Sequence, residues 1–122
     1  PLLEVAFLEN GLLSNEKELH SNEFVLEEDT FARDAFILQN ETIGRLELVN
    51  HLSNQVKVRV SADVPAWGIW STVDKKAPFV CLEPWYGRCD KEDFEGELSG
   101  REYMQSLESG EEFTGGYLME LL

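Results

Sequence analysis

The segment Val56-Lys57-Val58-Arg59-Val60 sets the kind of fold open to this chain: three valines fall on one side and two cations on the other. Such a period of two, with β-branched residues, is the pattern of a half-buried antiparallel strand. The same alternation runs through Leu3, Val5 and Phe7, which end at a Glu9-Asn10-Gly11 turn signal. It returns at Leu46 and Leu48 against Arg45 and Glu47. No segment carries an apolar 3.6-residue repeat of helix length. Short strands separated by turn residues predict an all-β fold, an antiparallel β-sandwich or a related large sheet.

The remaining segments fill in that picture. Ser14 to Asn22 is polar and reads as a solvated loop or hairpin end, and Phe24-Val25-Leu26 as a short strand. Glu27 to Arg33 reads as one helical turn with Asp29 or Thr30 as its cap. Ala35 to Gln39 is apolar, Asn40-Glu41-Thr42 is a turn, and Pro65 breaks the pattern before Trp67-Gly68-Ile69-Trp70 resumes it. Phe79 to Leu82 is a further apolar run, and Tyr117 to Leu122 closes the chain as a last strand. The 122 residues allow one domain.

Charge and cysteine content exclude several classes of function. The 24 acidic residues against 10 basic ones give a formal charge of -14, which argues against nucleic acid and anionic membrane surfaces. Two cysteines, Cys81 and Cys89, are too few for a disulfide framework and lie in no zinc-binding spacing. No apolar run approaches the roughly 18 residues of a membrane span, and nothing resembles a signal peptide, so a reducing cytoplasm is the expected setting. The opening Pro1-Leu2-Leu3-Glu4-Val5 lacks an initiator Met and starts inside a strand, so residue 1 is read as something other than a natural start.

Chemistry concentrates in Ala77 to Asp90. An apolar strand presents a carboxylate at Glu83, and Pro84 then requires that the strand end or meet a sheet edge, having no N–H to give. Trp85 and Tyr86 follow. A carboxylate beside aromatic faces suits a sugar, whose C–H face stacks on a ring while its hydroxyls donate to the acid. On composition alone Glu83 reads first as an ordinary strand-end residue, and Trp67, Trp70 and Trp85 as ordinary core.

The run VCLEPWYGRCD resembles the C-terminal motif of the aldose 1-epimerase (galactose mutarotase-like) superfamily, closest to the bacterial branch encoded beside lactose genes. In that branch a Gly-Ile-Trp strand precedes an APFVCLEPWYG-like segment, matched here by Trp67 to Trp70 and Ala77 to Gly87. Asp29 to Leu38, Gly96 to Leu98 and Leu107 to Phe113 resemble further family segments in the same order. The resemblance implies the C-terminal part of a galactose-mutarotase-like supersandwich, with the N-terminal part absent from residues 1–122. It implies an enzyme that interconverts the α and β anomers of a free hexose without a cofactor, Glu83 being the general base. Asp34 matches a family Asp that binds sugar hydroxyls, and Trp85 and Tyr86 would contact the substrate.

The family's catalytic His lies upstream of the matched region, and its local motif surrounds neither His20 nor His51, which read as surface residues. Residues 1–122 alone are therefore expected to be nearly inactive, and to need the missing half or self-association to cover exposed sheet edges. Two other functions use the same residues. A hexose-6-phosphate mutarotase would need a cationic pocket, for which Lys75, Lys76 and Arg88 are the local candidates, although Asp74-Lys75-Lys76 also reads as a solvated turn. A non-catalytic carbohydrate-binding module would use Trp85 and Tyr86 as a platform. A glycosidase would require a second carboxylate across from Glu83, and nothing positions Asp90 there. Cys81 reads as inert packing and Cys89 as the more exposed thiol.

Overall fold

The structure is a computed structural model of the chain and describes residues 2–23, 25–39, 43–73 and 77–122. Eight strands and one short 3-10 turn make up its regular structure: β1 (Leu2–Glu9), β2 (Leu12–Ser21), β3 (Phe36–Gln39), β4 (Arg45–Asn50), β5 (Gln55–Ser61), β6 (Ala66–Trp70), β7 (Cys81–Trp85) and β8 (Leu118–Leu121), with the turn at Leu98–Gly100. They form a five-stranded sheet in the order β2-β1-β3-β6-β7 and a three-stranded sheet in the order β4-β5-β8. Every named pairing is antiparallel.

The two sheets face each other across one core. Alternation sends Val5, Phe7, Phe36, Leu38, Trp67 and Ile69 to one side of the large sheet, where they meet Val60 and Val64 from the small one. Trp67 is almost fully enclosed, and its indole N–H donates to the Ile43 carbonyl at 2.9 Å, so its single polar group is satisfied. The opposite side of the large sheet holds a smaller cluster of Ala6, Leu13, Ala35 and Ile37, with Trp70, Trp85 and Cys89 against it.

Several sequence expectations change in the structure. Ser14 to Asn22 is not a loop: nearly all of it is β2, an edge strand. Its polarity has a physical cause, since an edge strand keeps most side chains in water and discourages further pairing with charge. Lys17 pairs with Glu4 across the strands, and Glu16 and Glu18 both meet Arg33. Accordingly His20 sits in β2 rather than in a loop, half-buried with its ring 5.4 Å from that of Phe36. Residues 27–34 form successive turns rather than helix, through Thr30 N–H to Glu27 O, Ala32 N–H to Asp29 O and Asp34 N–H to Phe31 O. The Thr30 hydroxyl accepts from the Glu27 N–H at 2.6 Å, a bond back along the chain that closes the turn rather than capping a helix.

Val25 and Leu26 are not in a strand, and Phe24, the other member of that expected strand, lies outside the described residues. So do Asn40-Glu41-Thr42 and Asp74-Lys75-Lys76. β7 starts at Cys81, later than the apolar run at Phe79, and continues through Glu83 and Pro84. Pro84 is tolerated because β7 is the outer strand of its sheet. At the edge of the small sheet, β8 aligns Met119 with Val60 and Leu121 with Val58, on the core-facing side. There Met119 remains 54 % and Leu121 79 % exposed, so this end of the core is uncovered.

Candidate functional site

Glu83 stands in the middle of β7, opposite Gly68 of β6, which is itself opposite Ile37 of β3. Strand alternation places Glu83 on the side of the large sheet away from the sandwich core, with Cys81, Trp85, Trp70 and Gln39. Trp85 is held against it: the indole Nε1 donates to Glu83 Oε2 at 3.0 Å. The other carboxylate oxygen accepts no hydrogen bond from the described residues. Gly68 makes this pairing possible. A Cβ there would lie 2.5 Å from Trp85 Cζ2, so only a glycine lets the indole lie flat across β6. Burial, and then the negative charge of Glu83, push the Cys81 thiol above its ordinary range, which keeps it protonated and unreactive beside the carboxylate.

From the end of β7 the chain turns back over this face. Arg88 donates to Gln39 Oε1 at 2.7 Å and to the Cys89 carbonyl at 2.7 Å, bonds Glu102, and lies over the Tyr103 ring at 5.2 Å. Farther on, Leu13 N–H donates to Asp90 O at 2.8 Å and Glu92 N–H to Leu13 O at 2.9 Å, joining the segment to β2. Arg101 pairs with Asp90, and Lys91 with Glu102 at 2.8 Å. Residues 88–92 thus cross the sheet as a strap, tied to β3 at one end and to β2 at the other.

The candidates named from sequence do not all converge. Trp85 adjoins Glu83. Tyr86 points to the opposite side, its ring edge-on to Phe113 at 4.9 Å and its hydroxyl accepting from the Gly116 N–H at 3.2 Å. Asp34 is exposed, at φ 69, with Oδ1 accepting from the Ala35 N–H at 2.7 Å. The register sets it three residues from Ile37 along β3 and two strands from Glu83, about 10 Å in each direction. Arg88 has its charge met by Glu102, and its side chain is 2 % exposed; this argues against the phosphate role considered for it, and Lys75 and Lys76 lie outside the described residues. Asp90 is engaged by Arg101 and does not face Glu83 as a second catalytic acid would. His20 is on the core side of its sheet and His51 in the exposed turn between β4 and β5, so neither shares a face with Glu83.

A cavity of about 390 Å³ opens elsewhere, between Phe7, His20, Arg33 and Phe36. It lies on the face away from Glu83, and the Arg33 guanidinium in it is already paired. Among the described residues no cluster of His, Cys, Asp and Glu could hold a metal ion. No helix there is long and apolar enough to cross a membrane.

No family model matches the chain, and no curated protein matches it. Among solved structures, the chain is similar to the X-ray structure of a galactose mutarotase-related enzyme from Lactobacillus acidophilus. The two are 30 % identical with a TM-score of 0.87, over 100 % of this chain and 42 % of the other. The chain thus spans less than half the length of that protein. Two facing antiparallel sheets, closely superposable on that enzyme along the whole of residues 1–122, give this chain the galactose mutarotase-like fold.

Proposed function

We propose that this chain is the Glu83-bearing part of a mutarotase-like isomerase acting on a free hexose. The observation that carries the reading is the Glu83–Trp85 pair, laid out over Gly68 on the open face of a sheet with this fold. Glu83 takes the proton of the anomeric hydroxyl while a general acid protonates the ring oxygen. The C1–O5 bond breaks, the C1–C2 bond rotates, and the O5 hydroxyl adds back to the opposite face of C1 as both protons return. Trp85 fixes one carboxylate oxygen and leaves the other for the substrate, and its ring offers a surface for the sugar's C–H face.

The general acid comes from polypeptide outside residues 1–122. That is supported by the placement of His20 and His51 away from Glu83, and by the 42 % of the related enzyme's length that this chain spans. The same polypeptide would cover Met119 and Leu121 of β8 at the edge of the small sheet.

Polarimetry of fresh α-galactose and α-glucose tests the proposal in the complete protein carrying this chain. Glu83→Gln is expected to slow anomerisation by about 10²- to 10⁴-fold, the scale of a lost general base, while sugar affinity stays nearly unchanged. Hexose binding with no anomerisation by the unaltered protein would instead identify a carbohydrate-binding module.

A further inference from the structure

Gln39 ends β3 in one cross-strand row with Ala66 and Trp85, on the face that carries Glu83, and is only 3 % exposed. Its Oε1 accepts from Arg88 Nε. A guanidinium only donates, so the carbonyl end of the amide must face Arg88 and the NH2 end must point elsewhere. Flipping the amide would set donor against donor. Arg88 cannot easily yield either, being buried and bonded to Cys89 and Glu102.

The Gln39 NH2 group has no hydrogen-bond partner among the described residues. It is nevertheless not sealed from solvent, since Arg59 Nε is the sole buried, unbonded side-chain nitrogen or oxygen among them. Polar groups at this depth are normally paired within the protein. A buried amide locked from one side, with its donor left open on the other, is built to meet a ligand.

We infer that the Gln39 amide donates a hydrogen bond to a ring hydroxyl of the hexose whose anomeric hydroxyl meets Glu83, with Arg88 holding it in the donating orientation. This rests on the mutarotase-like reading of Glu83. Between β3 and β7 this face of β6 carries Ala66, Gly68 and Trp70, and the two small ones are those level with Gln39 and Glu83. Two strand spacings separate the Gln39 and Trp85 backbones by about 10 Å, a gap that one hexose resting against the Trp85 indole bridges once the side chains reach inward.

The test uses Gln39→Glu, which keeps an acceptor for Arg88 and removes the donor, alongside Gln39→Leu, which removes both. Affinities for galactose, glucose and their monodeoxy analogues are measured by calorimetry in the complete protein carrying this chain, together with the anomerisation rate. Both variants are expected to bind hexose roughly tenfold more weakly, the size of one hydrogen bond. One monodeoxy sugar should bind variant and unaltered protein alike, because its missing hydroxyl is the one the amide holds. The Gln39 side-chain NH2 resonances should also move on addition of galactose.

Unmoved resonances, or an equal loss on every deoxy sugar, would overturn the inference even if anomerisation runs normally, and would leave the mutarotase reading standing. Selective coupling to one hydroxyl without anomerisation would support the Gln39 contact and defeat the catalytic reading. Absence of hexose binding would defeat both. If Gln39→Leu does not fold, Gln39→Glu and the resonance shift decide.

Discussion

Gly68 shows how much one hydrogen atom in place of a side chain can decide. Trp85 occupies the space where a Cβ on residue 68 would be, so Gly68→Ala must drive the indole off the sheet and away from Glu83. Overpacking of this kind costs about 1–3 kcal/mol, to be read as a lower urea midpoint, and the displaced Trp85 should shift tryptophan emission to the red. Unchanged stability and emission would contradict the packing described. At this scale the sequence was partly legible. Glu83 stood out because a carboxylate interrupts an apolar run, and Trp85 because it follows so closely. The separation of Tyr86 from Trp85 was also within reach, since a period of two carried through Pro84 sends neighbours to opposite faces. Gln39 was not: its chemistry depends on Arg88, 49 positions away in the chain and close only through the fold.

Among the elements, the β1–β2 hairpin depends most on its turn. Asn10 at φ 53 and Gly11 at φ 79 both adopt the left-handed conformation, which two-residue hairpin turns require to match strand twist. Open space surrounds the Cβ position of Gly11, so Gly11→Ala meets no clash and suffers only the backbone strain. A loss of about 1 kcal/mol is expected, visible as a lower thermal midpoint; an unchanged midpoint would show that the turn relaxes. The turn signal at Glu9-Asn10-Gly11 was plain in the sequence, yet β2 beyond it was hidden. Only Leu13 and Ser14 are buried on that strand, and the segment that bonds Leu13 starts at Asp90. Local alternation reports burial on a sheet face, and β2 has too little of it to register. By contrast β5, set between β4 and β8 with one side against the core, displayed its pattern fully.

For the molecule as a whole, the charge of -14 makes the few cations valuable. Glu102 joins two of them, and its carboxyl titrates below the usual carboxylate range, first because Lys91 hydrogen-bonds it; burial opposes the shift, and the charges of Arg88, Lys91 and Lys17 nearby add to it. A depressed folded-state value adds stability that is fully present above the ordinary carboxylate pKa and is lost as pH falls through the depressed one. Glu102→Gln should therefore lower stability at neutral pH and flatten the acid limb of the pH–stability curve below about pH 4, as followed by urea midpoints across that range. Glu102 is half exposed, so solvent screening keeps the effect modest; parallel acid limbs in variant and unaltered protein would show that the strap draws no strength from this charge. The same strap governs the order in which the molecule can be completed. Leu13 is sealed by backbone bonds to Asp90 and Glu92, so during synthesis the β1–β2 hairpin is made well before the residues that shelter it. Until then the β1–β2 hairpin carries an open flank, and closure comes late, by a long-range contact of the kind that folds slowly.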